Sequence, residues 1–287
     1  MTSVLAVDLG GTKTATARVD DRGSLTDRRT VPAAHSLQES VAQIAAACDS
    51  VTAVGVIVPG IYTAATGRAW CPNLWGTSEV ALLQALQDRV RVPVVIDSDR
   101  AGYVLGEAWL GAGRGLRHVI FVSIGTGIGV GILANGVVLR GASGIAGAAG
   151  WFALDPRWTD AYARTGCWEA EAAGPAVARR AGMPDGAAVV AAAQSGDDKA
   201  REALEHAARY TAMGIANLIS ALNPEVVVLG GGLMTGAGPL LLDRIRTEVA
   251  RWAQPIAASQ CQIELSQLGE TAGLLGAARL AFSEPPQ

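Results

Sequence analysis

Two glycine-rich turns, each joining two short apolar segments, constrain the fold of this chain more than any other feature. In residues 4–19, small branched residues at 4–7 and an alternating pattern at 12–19 predict the strands of a β-hairpin. Residues 119–136 repeat the same order of apolar strand, hydroxyl and glycine turn, and apolar strand. Because such turns bring backbone N–H groups together, the pair predicts two sides of one phosphate site.

The first turn carries groups that suit a phosphate. Gly10 and Gly11 lack a Cβ, so their N–H groups can close on an anion, and Thr12 and Lys13 add a hydroxyl and a charge. Asp8, at the end of the first strand, is a candidate ligand for Mg²⁺ through water. The alternative is an ordinary tight hairpin in which the glycines only make the turn.

Acidic residues follow another predicted strand. Residues 92–96 form a short apolar strand that runs into Asp97 and Asp99. Ligands of α/β folds bind at the carboxyl ends of parallel strands, so Asp99 is a candidate general base for an attacking hydroxyl. The alternative is that Asp97 or Asp99 caps the helix that begins near Ala101.

Two further segments are candidates for ligand contacts. Residues 70–75 predict a loop whose Trp and Asn side chains suit a small ligand, the alternative being a surface loop with a hydrophobic anchor. Residues 226–229 predict a buried strand that runs into the glycine turn 230–232, where the backbone can approach a base or a phosphate.

The length of 287 residues is large for one core and predicts two α/β domains, residues 1–115 and 116–287. Hydrophobic periodicity predicts helices at residues 37–48, 79–90, 169–180, 187–194, 199–222, 240–252 and 271–282. Three tryptophans, Trp151, Trp158 and Trp168, lie close together in the sequence. They either line a pocket or pack together, and packing is the simpler expectation.

Charge and composition exclude several classes of partner. The net charge is −3 and no dense run of Lys and Arg occurs, so we expect no nucleic-acid or membrane partner. The apolar runs are far shorter than the roughly 20 residues of a membrane helix, and no secretory signal precedes the first strand, which predicts a cytoplasmic protein. The four cysteines match no metal or disulfide pattern and are expected to be reduced thiols.

Taken together, these motifs resemble the ROK family (repressors, open reading frames and kinases) of the actin-like ATPase superfamily, over nearly the whole chain. The resemblance rests on the order and spacing of residues 8–13, Val58-Pro59-Gly60, Pro72-Asn73-Leu74, Ser98-Asp99, Gly106-Glu107, residues 125–131, Gly166-Cys167-Trp168-Glu169 and residues 229–232. It implies two RNase H-like domains with a cleft between them, in which the γ-phosphate of ATP passes to a hydroxyl of a sugar.

The resemblance also implies roles for individual residues. Asp99 would be the catalytic base, and Mg²⁺ would be held mainly by the ATP phosphates. The expected ATP-binding residues are Asp8, Gly10, Gly11, Thr12, Lys13, Gly125, Thr126, Gly127, Gly230, Gly231 and Gly232. The expected acceptor-binding residues are Gly60, Asn73, Ser98, Asp99, Trp151 and Glu169. The family further implies a homodimer and a terminal helix, about residues 271–283, that packs back on the first domain.

Three departures from the family pattern alter these expectations. The family's Glu-Ile-Gly-His is replaced by residues 148–151, which begin with Ala148 and end with Trp151, so a carboxylate and an imidazole beside the sugar are absent. Its zinc loop appears as residues 160–167 with only Cys167 retained, which predicts no structural zinc. Ser98 stands where an Asn usually precedes the catalytic Asp.

The sequence therefore predicts an ATP-dependent kinase with an altered acceptor: a hexose, an N-acetyl hexosamine or a cyclitol. Polyphosphate as an alternative phosphoryl donor is left open. The competing hypothesis is a non-catalytic sugar sensor of the same fold. The repressors of the family carry a helix-turn-helix ahead of the first phosphate loop, whereas that loop begins at residue 8 of this sequence. We therefore do not expect DNA binding.

Overall fold

The computed structural model describes residues 2–283, which form two compact units. Unit 1 comprises residues 2–115, 138–146 and 270–283, and unit 2 comprises residues 116–137 and 147–269. The chain first passes between the units at the predicted boundary after residue 115. Residues 138–146, which the sequence placed in the second domain, belong to unit 1.

Unit 1 is built on a five-stranded sheet with the order β3-β2-β1-β4-β7. Its strands are β1 (Ser3–Leu9), β2 (Lys13–Asp20), β3 (Leu25–Pro32), β4 (Val54–Val58) and β7 (Val94–Ser98), and β5 (Ile61–Thr63) pairs with β6 (Arg68–Trp70) separately. Its first helices are α1 (Leu37–Ala47), α2 (Pro72–Trp75), α3 (Leu82–Gln87) and α4 (Asp99–Leu110). β1 is antiparallel to β2 and parallel to β4, so the glycine turn and the carboxyl end of β7 lie at one edge of this sheet.

Unit 2 repeats this plan with a second five-stranded sheet, in the order β10-β9-β8-β11-β12. Its strands are β8 (Val119–Ile124), β9 (Ile128–Ala134), β10 (Val137–Val138), β11 (Val226–Gly230) and β12 (Gln262–Leu265). Its helices are α5 (Tyr162–Thr165), α6 (Cys167–Ala172), α7 (Gly174–Ala181), α8 (Gly186–Gln194), α9 (Asp198–Leu222), α10 (Gly232–Trp252) and α11 (Pro255–Gln260). β8 is antiparallel to β9 and parallel to β11, which places the second glycine hairpin beside the turn after β11.

Two of the helices predicted in unit 2 differ clearly from the structure. The helix predicted over residues 169–180 is divided into α6 and α7, because Ala173 is extended and Pro175 follows in the first turn of α7. In contrast, α10 begins at Gly232 and continues through Pro239, where the sequence predicted a start at residue 240. Proline thus marks a helix start at one site and is tolerated inside a helix at the other.

The last helix, α12 (Ala272–Phe282), belongs to unit 1 and packs on α4, β1 and β4. The helices approach so closely that a Cβ on Gly276 would lie 1.8 Å from the carbonyl oxygen of Gly102. Backbone contact at this position requires glycine. Within residues 2–283, no helix combines the length and apolar character that crossing a membrane would require.

Candidate active site

Asp99 is the first residue of α4, directly after the carboxyl end of β7. The helix is capped by Ser98, whose extended backbone allows its hydroxyl to accept a hydrogen bond from the Ala101 N–H at 3.3 Å. The alternative that Asp97 or Asp99 caps α4 is therefore wrong. The Asp99 carboxylate remains in the site, with Oδ1 accepting the Arg100 N–H at 2.7 Å.

Asp97 has a different role at the same strand end. Its buried carboxylate accepts the Ser98 N–H at 2.8 Å through Oδ1 and contacts the guanidinium of Arg140 through Oδ2. Arg140 lies on the 138–146 segment of unit 1, which is also held by hydrogen bonds from Arg100 to the carbonyl oxygens of Gly144 and Ile145. Two arginines thus fix this segment beside the strand end that carries Asp99.

Asp8 and Asp99 form a pair of interacting carboxyl groups in unit 1. Burial raises the pKa of Asp8 to about 7, the charge of Asp99 adds to this effect, and Lys13 opposes it. Burial also raises the pKa of Asp99 to about 6, and the Arg100 charge opposes that shift. Asp8 packs against the first turn of α12, because a Cβ on Gly273 would lie 2.2 Å from its Oδ2.

The first glycine turn connects β1 to β2 near these carboxyl groups. The Gly10 N–H donates to the Lys13 carbonyl oxygen at 2.9 Å, and Thr12 and Lys13 are exposed. The Lys13 ammonium lies 3.4 Å from the exposed carboxylate of Glu270, which also pairs with Arg28. A phosphate role for this turn and for Lys13 stays a prediction.

Two predicted acceptor-binding residues of unit 1 lie beside this turn and Asp99. Asn73 is exposed on α2, with its Cβ 3.7 Å from the place that a Cβ on Gly11 would occupy. The Gly60 carbonyl oxygen accepts a long hydrogen bond, 3.4 Å, from Arg100. Unit 1 therefore holds seven predicted site residues from separate parts of the chain: Asp8, Gly10, Gly11, Gly60, Asn73, Ser98 and Asp99.

The second glycine turn, in unit 2, is held by hydrogen bonds at both ends. Within it, the Gly125 N–H donates to the Gly127 carbonyl oxygen at 2.9 Å, and from outside the Gly174 N–H donates to the Gly125 carbonyl oxygen at 2.8 Å. At the far end, Oε2 of Glu169 accepts the Ile128 N–H at 2.7 Å. Thr126 is left exposed between these two attachments.

The glycine turn after β11 adjoins the second glycine turn. Gly231 has φ +90° and approaches the Ile124 backbone so closely that a Cβ there would lie 2.6 Å from it, so this position requires glycine. Gly232 then begins the long helix α10, and its N atom lies 3.5 Å from the place of a Cβ on Gly125. N–H groups at a helix start beside a glycine turn suit a phosphate.

A cavity of about 580 Å³ opens beside these two turns of unit 2. Its walls are mostly apolar or glycine, and include Gly125, Gly232, Pro175, Pro184, Ala187, Val190 and Leu233, whereas Thr126, Asp185 and Gln194 are its polar side chains. The volume and the lining suit a flat heterocycle with a few polar contacts. Sequence analysis missed the α8 wall of this cavity, because its small apolar residues form no local motif.

The three tryptophans do not form one cluster. Trp168 is fully buried and stacks on Phe152, whereas Trp158 is exposed and meets the Tyr162 ring edge-on. Trp151 ends a short 3₁₀ turn with 58 % of its surface exposed. The expectation that they pack together is wrong, and the Trp151 indole is accessible to a ligand.

The residues that replace the family's zinc loop do not fit a metal. Tyr162 donates its phenol hydrogen to Glu171 at 2.7 Å, and the other Glu171 oxygen lies 2.8 Å from Nε2 of His206. Cys167 is a buried free thiol. Across residues 2–283, no group of three or more His, Cys, Asp or Glu side chains is arranged to hold a metal ion. The absence of structural zinc stays a prediction that metal analysis can test.

Comparison with known proteins finds similar sugar kinases. A glucokinase of Streptomyces coelicolor is 32 % identical, with 98 % of both chains covered, and an N-acetylmannosamine kinase of Citrobacter koseri is 31 % identical, with 97 % of this chain and 98 % of the relative covered. The solved structure of a Streptomyces griseus ROK family glucokinase in complex with glucose and AMPPNP is 30 % identical, with a TM-score of 0.81 over 97 % of this chain and 99 % of that one.

The model of the ROK family matches residues 4–284. The match includes both glycine turns, the strand end that carries Asp99 and the terminal helix. The chain belongs to the ROK family.

Proposed function

We propose that this protein is an ATP-dependent kinase that transfers the γ-phosphate to a hydroxyl of a sugar or a sugar-like polyol. The observation that carries the proposal is the partly buried Asp99 carboxylate, which follows β7 in the unit that also holds Asp8 and the first glycine turn. Relatives named glucokinase and N-acetylmannosamine kinase support a sugar as the acceptor class.

In this mechanism Asp99 orients the acceptor hydroxyl and accepts its proton as the oxygen attacks phosphorus. Burial disfavours the charged carboxylate and raises its pKa to about 6, so the base is ionised near neutral pH yet basic enough to take a proton. Attack in line with the leaving oxygen is the geometry that phosphoryl transfer requires. The carboxylate oxygens of Asp8 suit Mg²⁺, which would neutralise part of the charge on the phosphates.

The nucleotide is assigned to unit 2. The cavity beside Gly125 and Gly232 suits the adenine, and the N–H groups at the start of α10 suit the phosphates. The related glucokinase structure in complex with AMPPNP supports ATP as the donor.

The acceptor is a hexose, an N-acetyl hexosamine or a cyclitol. Ala148 and Trp151 replace a carboxylate and an imidazole of the family pattern by a methyl group and an exposed indole. Loss of a strong hydroxyl acceptor and gain of a flat apolar face favour a ring without an ordinary anomeric hydroxyl, such as a cyclitol. Rapid use of glucose together with poor use of every cyclitol would contradict this preference.

The competing function is a sugar sensor without catalysis, which the changes at Ala148 and Trp151 would allow. The deciding experiment measures ADP release with Mg-ATP over hexoses, N-acetyl hexosamines and cyclitols, with Asp99→Asn beside the parent. Polyphosphate replaces ATP in a parallel series that measures the phosphorylated acceptor. We expect turnover on at least one compound and its loss in Asp99→Asn, with ATP binding retained.

Near-normal turnover in Asp99→Asn would show that another group is the base. Ligand-induced thermal stabilisation without turnover on any compound would favour the sensor instead.

A further inference from the structure

The carboxylate of Glu169 is attached to the backbone of the second glycine turn. Its Oε2 accepts the N–H of Ile128, the first residue of β9, at 2.7 Å. A Cβ on Gly127 would lie 2.7 Å from the same oxygen, so the carboxylate occupies the space that a side chain at this position would need. The turn therefore closes directly against Glu169.

The opposite end of the turn is held by the residues that follow α6. The Gly174 N–H donates to the Gly125 carbonyl oxygen at 2.8 Å, and the Gly125 N–H donates to the Gly127 carbonyl oxygen at 2.9 Å. The short segment from Glu169 to Gly174 thus holds both ends of the glycine turn. Thr126 lies between these two attachments.

The hydrogen bond from the Ile128 N–H favours the charged form of the Glu169 carboxylate. Burial raises the pKa of Glu169, and the hydrogen bond from the Ile128 N–H opposes that shift by favouring the carboxylate. A hydrogen bond to a half-buried carboxylate is stronger than one between neutral groups. One oxygen is engaged in this bond, which leaves Oε1 to accept a hydroxyl of the acceptor.

We infer that Glu169 is a positioning residue for the nucleotide phosphates, in addition to its expected contact with the acceptor. The inference rests on the proposed function and deepens it. Through one carboxylate, Glu169 orders the 125–127 turn with Oε2 and meets the acceptor with Oε1. The acceptor's contact and the phosphate turn are therefore linked by a single side chain.

The test measures binding of Mg-AMPPNP by calorimetry without any acceptor, in the parent and in three variants. Glu169→Gln keeps an oxygen at the right reach but loses the charge, so nucleotide affinity should fall by about threefold at most. Glu169→Ala removes the acceptor oxygen, and Glu169→Asp keeps the charge but shortens its reach. Both should weaken nucleotide binding about tenfold, as loss of one charge-assisted hydrogen bond predicts.

Several outcomes would overturn the inference. They are parent-like affinity in Glu169→Ala, parent-like affinity in Glu169→Asp, or equal weakening in Glu169→Gln. Circular dichroism verifies that each variant is folded. If Glu169→Ala does not fold, the contrast between Glu169→Asp and Glu169→Gln still decides the inference. Failure of the inference leaves ATP binding and Asp99-dependent turnover of the parent intact, whereas a parent that binds no nucleotide overturns the proposed function as well.

Discussion

The guanidinium of Arg140 contacts Asp97 through two nitrogens, Nε and Nη2, each 2.7 Å from Oδ2. The Asp97 side chain is 7 % exposed, whereas Arg140 reaches it from the surface with 46 % exposed. A buried carboxylate at the end of β7 is thus compensated by a residue that enters unit 1 from a distant part of the sequence. The strand end that carries Asp99 depends on this pair for its charge balance.

Replacing Arg140 by Gln should destabilise the protein. It removes the guanidinium from the buried Asp97 carboxylate, which keeps the hydrogen bond from the Ser98 N–H, and this loss costs about 1 to 3 kcal/mol of unfolding free energy. Urea unfolding of the parent and the variant measures this difference. Adding Asp97→Asn to Arg140→Gln removes the uncompensated charge and should recover part of the loss. An additive double mutant would contradict the pairing.

The turnover rate should fall as the pH decreases through about 6. The base form of Asp99 is required, and burial raises its pKa from 3.8 to about 6, so protonation removes the base within this window. Above it, the carboxylate is ionised and the rate should reach a plateau. The pH profile of kcat/KM on the acceptor found in the substrate screen gives the midpoint. A midpoint at the ordinary pKa of an aspartate would show that Asp99 is not buried in the working enzyme.

Treatment with EDTA should leave the stability of the protein unchanged. Removal of the Tyr162 hydroxyl, in contrast, should lower it. Tyr162→Phe deletes the donor to Glu171 and should cost about 1 to 2 kcal/mol. Thermal unfolding with and without EDTA, together with elemental analysis, checks both statements. One equivalent of tightly held zinc, or a large loss of stability in EDTA, would contradict them.

Filling the cavity of unit 2 should block the nucleotide. Ala191 is exposed on α8 and lines the cavity, so Ala191→Trp should raise the KM for ATP at least tenfold and leave the acceptor KM little changed. Ser195, the exposed residue after the same helix, does not line the cavity, and Ser195→Trp is the matched control. Equal KM values for ATP in both variants would place the nucleotide elsewhere.

The parts that sequence predicted well are those that local chemistry determines. Apolar runs interrupted by glycine pairs indicate strands and turns by themselves, so both hairpins and the strand end at Asp99 were predictable. The capping residue was not, because Ser98, Asp97 and Asp99 are all able to cap a helix and only tertiary contacts decide. Arg140 shows the same limit, since its partner Asp97 is distant in sequence.

The cavity of unit 2 shows what sequence patterns cannot reveal. Its walls come from Pro175, Val190 and Leu233, which lie on three different helices and share no motif. Small apolar residues on a helix give the same sequence pattern whether they face a core or a ligand. Only the packing of α7, α8 and α10 turns them into the walls of a cavity.

The position of α12 determines when unit 1 can fold during synthesis. Its core is completed by residues 272–282, which pack on β1 and β4 and place Gly273 against Asp8, yet they leave the ribosome after every element of unit 2. The strands of unit 1 therefore lack α12 until unit 2 has been made, while unit 2 can close over its own sheet. For a nascent chain of this protein, the surroundings of Asp8 are completed only after unit 2 has been made.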